Sequence, residues 1–265
     1  MSRQVEPGTR SIVAKARDAY SRGGARRLLR MGAARLVHPF RIWLSQTRLG
    51  RQNAAILVRA WLTGTPVVHV VGDSHTDVLR GHAPFVVTWL GPATAHNLGN
   101  RASATSSGKK LATALRRVRK NRDVVLLVLG EIDSRIHIYD RHMKSGGEVP
   151  MERLIDETIE RFGQVAVGLS REGYHVVVQS VPATPYQENI YDYPFYGSDA
   201  TRAWIVARYN ARLAAWCADR GVPYLDIYAV AADERGFIRK ELTDDGTHLN
   251  AGAMQYYDRW VEGLR

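Results

Sequence analysis

From Pro66 onward the chain alternates short, unbroken apolar runs with longer stretches of helical periodicity, and this alternation narrows the possible folds more than any other property of the sequence. The apolar runs cover residues 67–71, 85–90, 124–129, 175–181 and 224–227. None shows the apolar–polar alternation of a half-exposed strand, so each reads as a strand buried on both faces, as in parallel sheets. Helical patterns fill the intervals at about 75–82, 104–120, 151–172 and 200–219, and a last one covers 250–263. Strands and helices in this order predict an α/β chain with a doubly wound, five-stranded parallel sheet and helices on both faces. Ligands of such sheets bind outside the carboxyl ends of the strands, so the loops after each strand are where chemistry is expected.

The N-terminal quarter is different. Residues 1–65 hold 13 Lys/Arg against 2 Asp/Glu, an excess of 11 that equals the whole net charge of +11. The remaining residues hold 24 of each sign. Apolar residues between Ser11 and Leu62 recur at roughly helical spacing with arginines among them, predicting a basic amphipathic helical extension (1–65) ahead of an α/β domain (66–265). Such an extension packs on the domain with a solvated basic face, or lies on an anionic membrane surface with Phe40 and Trp43 at the boundary. With the charge confined to this segment, no nucleic-acid partner is expected. The single cysteine, Cys217, sits in an apolar helical pattern and reads as a buried structural thiol. No run of 18 apolar residues and no secretory h-region occur, so a cytoplasmic location is expected, peripheral at the inner membrane surface if the extension is interfacial.

Two short motifs carry chemistry. The first strand runs into Gly72-Asp73-Ser74-His75-Thr76, where a serine on a tight strand-to-helix turn can present its hydroxyl beside the free N–H groups of the new helix. Asp244-Asp245-Gly246-Thr247-His248-Leu249-Asn250 precedes the last helix. A serine hydroxyl needs a base to take its proton, and an imidazole base works best when a carboxylate fixes its tautomer; Asp245 and His248 can supply both. Either motif alone is also good turn and capping chemistry.

Together, Gly-Asp-Ser after strand one and Asp-x-x-His-Leu before the last helix resemble the SGNH/GDSL hydrolase superfamily over residues 66–265. The resemblance implies a three-layer flavodoxin-like fold with strand order 2-1-3-4-5 and a serine esterase mechanism without cofactor or metal. Carried over by motif position, Ser74 is the nucleophile, His248 the general base and Asp245 its orienting carboxylate; the Ser74 and Gly91 N–H groups are oxyanion donors. The family's Gly-x-Asn-Asp string departs here to Gly130-Glu131-Ile132-Asp133, placing an aliphatic side chain where the third donor belongs. Gly-Glu-Ile-Asp-x-Arg-x-His is similar to a subset found among bacterial polysaccharide- and sugar-modifying proteins, and points to Arg135 as replacement donor with His137 nearby. Candidate substrate contacts are Asp73, His75, His96, Asn97, Glu131, Asp133, His137 and Tyr186. The last belongs to an aromatic-rich loop over 183–199; a second long loop, 131–150, with Gly146-Gly147, is expected to be a mobile lid.

The expected substrate is an acylated small molecule or glycan, with carbohydrate O-acetyl ester hydrolysis first. Acyl transfer to a glycan and a catalytically silent sugar-binding scaffold are the alternatives. Gly-Asp-x-His also resembles the start of the calcineurin-like phosphoesterases, but their Gly-Asn-His string is missing here.

Overall fold

A computed structural model describes residues 47–100, 105–184 and 196–264. The chain divides into two compact units, residues 1–51 and 52–265. Of the first, only 47–51 are described, as the opening of a helix, α1, that spans 47–63. Residues 1–46 of the expected basic extension lie outside the described residues.

The second unit is built on a five-stranded parallel sheet: β1 (Val68–Gly72), β2 (Phe85–Trp89), β3 (Val124–Val128), β4 (His175–Gln179) and β5 (Tyr224–Leu225). The order is β2-β1-β3-β4-β5, as the sequence resemblance implied. The register aligns Gly72 with Trp89 on one side and Val128 on the other, so the ends of the first three strands are level. Connecting helices are α2 (Ser107–Leu115), α3 (Ile138–Lys144), α4 (Met151–Arg171), α5 (Asp199–Asp219), α6 (Tyr228–Ala231) and α7 (Met254–Glu262). The main core fills the space between the sheet and α4 and α5, with Val125, Leu127, Val178, Ile155, Phe162, Ile205 and Leu213 all buried. Cys217 belongs to this core, and burial pushes its thiol up to about 11, well away from a reactive thiolate. On the other sheet face Phe85 meets Tyr257 of α7 edge to face, and the Tyr257 hydroxyl donates to Gln179 (3.1 Å).

The edge strand β2 is closed by α1. The Asn53 side chain accepts from Val87 N–H (3.1 Å) and donates to Val87 C=O (2.8 Å), pairing both groups that the edge would otherwise leave open. Ile56, Leu57 and Ala60 pack beside it on Val67 and Val86.

Most of the segment expected to be a loop, residues 131–144, is helical instead. Residues Asp133–His137 form a π-helical turn that runs directly into α3, with the Ile138 N–H reaching back five residues to the Asp133 carbonyl. A π turn inserts one residue into the helical repeat, so Ile132, Ile136, Ile138 and Tyr139 do not fall on a 3.6-residue pattern, and that hid the helix.

Candidate active site

Glycine at position 72 is dictated by the approach of β1 to β3. A Cβ there would lie 2.0 Å from the Val128 carbonyl oxygen, and the Asp73 N–H donates to that same oxygen (3.2 Å). The chain then leaves the sheet in extended conformation at Asp73, whose carboxylate accepts from His75 N–H (2.9 Å) and caps a 3-10 turn over Ser74–Leu79. Thr76 fixes the turn by donating its hydroxyl to the Asp73 carbonyl (2.8 Å). Ser74 is thus the first residue of a helical turn at the carboxyl edge of the sheet, with a backbone N–H that the turn itself does not satisfy.

The second motif forms a tight loop between 3-10 turns at Lys240–Leu242 and Ala251–Ala253. One Asp245 oxygen accepts the backbone N–H groups of Thr247 (2.8 Å) and His248 (2.7 Å), and the other pairs with His248 Nδ1 (2.6 Å). His248 Nε2 in turn lies 2.8 Å from Ser74 Oγ. The two motifs, 174 residues apart, therefore meet in one hydrogen-bonded relay. Burial would raise the Asp245 carboxyl, but donation from the backbone and ring of His248 holds it below the usual carboxylate range. Burial, then the charge on His75, lowers His248. A carboxylate on Nδ1 fixes the proton there and leaves Nε2 as acceptor for the serine hydroxyl.

Behind this relay lies a buried charged cluster. The His75 ring is 4.9 Å, centroid to centroid, from that of His248, and its Nε2 is 3.8 Å from Glu131. Glu131 is bonded through both carboxylate oxygens to Arg135, by Nε and by Nη2 (3.2 Å). Burial alone would raise Glu131, but His75 and Arg135 outweigh it and hold the carboxyl at about 2. Burial alone would lower His75, yet Glu131 and Asp73 carry it above its ordinary value. Asp73 and Asp133 have less help: burial pushes the first up to about 6 and the second to about 7.

Asp133 also joins two loops. Its carboxylate accepts from Ala95 N–H (2.7 Å) and His96 N–H (3.3 Å), tying the turn after β3 to the loop after β2. That loop opens at Gly91, whose φ of +87° favours glycine, and the preceding Leu90 carbonyl is held by Lys110 Nζ at 2.7 Å. Ile132 is half-buried between the Glu131 and Asp133 anchors.

The residues singled out in the sequence therefore fall into three groups. Ser74, His248 and Asp245 form the relay; Asp73, His75, Glu131 and Arg135 form the charged cluster behind it. His96, Asn97, Asp133 and His137 line a separate cavity of about 220 Å³. Tyr186 lies outside the described residues. Sequence reasoning missed Lys110, and missed Arg141 and Thr158, which complete the cavity wall. Arg141 was hidden by the reading of its segment as loop; Lys110 and Thr158 look like ordinary polar positions of amphipathic helices.

Comparison with known proteins agrees with this architecture. The GDSL-like Lipase/Acylhydrolase family matches residues 70–256. A search of curated proteins finds no match. Among solved structures, one from Streptococcus pneumonia aligns with a TM-score of 0.52 at 16% identity, covering 86% of this chain and 99% of that one. A GDSL-like lipase from Bacteroides thetaiotaomicron aligns with a TM-score of 0.50 at 14% identity, covering 74% and 86%. A carbohydrate acetylesterase from Sinorhizobium meliloti has a TM-score of 0.49 at 15% identity, covering 76% and 100%. At these identities the likeness to the first two speaks for the fold alone. The family match spans well over half of the sequence and includes both motifs of the relay, so the chain belongs to the GDSL-like lipase/acylhydrolase family.

Proposed function

We propose that the protein is a serine-dependent acyl-ester hydrolase acting on O-acetylated carbohydrate. The observation that carries this reading is the relay itself, with Ser74 Oγ 2.8 Å from His248 Nε2 and His248 Nδ1 2.6 Å from Asp245. In the proposed reaction Ser74 Oγ attacks the ester carbonyl as its proton passes to His248, and Asp245 steadies the imidazolium. The oxyanion of the tetrahedral intermediate is met by the N–H groups of Ser74 and Gly91. Collapse returns the proton from His248 to the departing alcohol and leaves acetyl-Ser74. Water, deprotonated by His248, then releases acetate and restores the serine.

Ile132 bears on the rate. Removing one oxyanion donor costs about 2.7–4 kcal/mol in comparable hydrolases, or about 100- to 1000-fold in kcat. Arg135, bound to Glu131, is the replacement donor we assign. An acetyl group suits a site whose nearby walls are polar and charged better than a long acyl chain. Acetate release from per-acetylated methyl glycosides, followed by proton NMR, tests the assignment. Ser74→Ala and His248→Ala should each abolish release; transfer of acetyl to added oligosaccharide in place of release to water would reassign the protein as an acyltransferase.

For the N-terminal quarter we propose contact with an anionic membrane surface from the cytoplasmic side. No described helix is long and apolar enough to cross a membrane. On α1, Val58, Trp61 and Leu62 are 57%, 76% and 70% exposed around Arg59, an apolar patch beside a cation of the kind that interfacial helices present.

A further inference from the structure

We propose that the 220 Å³ cavity between the loop after β2 and the π turn after β3 is the subsite for one uncharged sugar ring, the alcohol side of the ester. This rests on the esterase reading above and adds to it the place and the chemistry of recognition. The cavity and the charged cluster share one turn: Asp133 and His137 of the wall flank Arg135, which bonds Glu131, and Glu131 lies 3.8 Å from His75, whose ring is 4.9 Å from that of His248. Another wall is the His96–Asn97 stretch, five residues beyond Gly91 and so within about 17 Å of chain. The carboxylate of Asp133 holds that stretch in place through two backbone N–H groups.

The lining offers donors and acceptors side by side and little net charge. Burial first, and then Arg161 and Arg141, lower His96, and burial lowers His137 with Lys144, Arg135 and Arg141 adding to it. Both rings are therefore neutral near pH 7, each with one N–H donor and one acceptor nitrogen. His96 Nδ1 is buried with no hydrogen-bond partner among the described residues. The Asn97 amide has both functions, and the Thr158 hydroxyl, which donates to the Leu154 carbonyl (2.8 Å), keeps its oxygen as an acceptor. Arg141 is the one permanent cation of the lining; it is paired with Glu157 at 2.8 Å, a carboxylate that also reaches Arg161 Nε at 3.5 Å. An anionic ligand would have to break that pair, whereas sugar hydroxyls need only alternating donors and acceptors. Ile138, 1% exposed, supplies an apolar floor for a ring face. The volume lies below the 300–1,000 Å³ usual for larger ligands, which suits a single ring and excludes a lipid chain.

The test is a titration that needs no turnover. The full chain, with ¹⁵N-labelled histidine, is titrated with the methyl glycosides of glucose, galactose, mannose and xylose, and separately with glucuronate and with propionate. At least one neutral glycoside should move the His96 and His137 ring signals saturably at millimolar concentration, and Asn97→Ala should weaken that response about ten-fold. Signals unmoved by all four glycosides, or moved only by the two carboxylates, overturn the subsite. In turnover, Arg141→Ala should lower kcat/KM for an acetylated glycoside at least about ten-fold more than for p-nitrophenyl acetate. Equal losses on both would show that Arg141 does not meet the sugar. Failure of the esterase reading would appear differently, as loss of turnover on every ester, with the ring-signal titration still deciding whether the cavity takes a sugar.

Discussion

At the residue scale, the departures from the family pattern lie together. His75 follows the serine, Glu131 and Arg135 flank the place where Asn is expected, and the three form one buried cluster against His248. The groups facing His248 act in opposite directions: Asp245 and Glu131 favour its protonation, while burial and the positive His75 disfavour it. Since His248 is lowered overall, it is a competent base further into acid than an ordinary imidazole. The acidic limb of the kcat/KM profile reports the pKa of the free-enzyme base. In His75→Asn that limb should move to higher pH, because the neighbouring charge is gone; an unmoved limb would mean that His75 is only a packing residue. Asp133 makes a separate prediction. Its folded-state pKa of about 7 stands above the unfolded value, so folding favours its protonated form. That stabilisation is complete below the unfolded pKa and is lost as pH rises through about 7. Urea melts between pH 4 and 8 should therefore show Asp133→Asn gaining stability relative to wild type as pH rises, by a few kcal/mol at most. A constant difference would contradict the assignment.

At the scale of elements, the sequence was most legible where burial was two-sided. Val124–Val128 and Phe85–Trp89 are strands because every position is apolar or nearly so, and their limits differ from the apolar runs by a residue. The 21-residue helices α4 and α5 were equally plain. The π turn and α3 were not, since one inserted residue defeats a 3.6-residue search, yet this element carries Arg135, His137 and Arg141. The Ser74–His248–Asp245 relay was readable as two motifs, but the cavity was not, because its walls come from three segments that only the fold brings together. Asn53 is a further element-scale feature that periodicity could not find. Asn53→Ala should cost about 1–3 kcal/mol by leaving the Val87 N–H and C=O unpaired at the sheet edge, measurable as a lower urea midpoint with an unchanged m-value. A neutral result would show that α1 does not secure β2.

At the scale of the molecule, charge and chemistry are segregated: the +11 excess belongs to residues 1–65, and the relay to the balanced remainder. If the first quarter serves an anionic surface, removing residues 1–46, which takes away most of its basic excess but spares the α1 patch, should clearly weaken cosedimentation with phosphatidylserine vesicles and leave turnover of a soluble ester intact. Equal vesicle binding by the full and shortened chains would remove the membrane assignment. The central claim concerns Ser74, and acid-quenched mass spectrometry after mixing with p-nitrophenyl acetate addresses it most directly. The wild type should carry one acetyl group on the peptide containing Ser74, and Ser74→Ala should carry none there. A folded wild type that turns over no ester and never acquires that acetyl group would contradict the account.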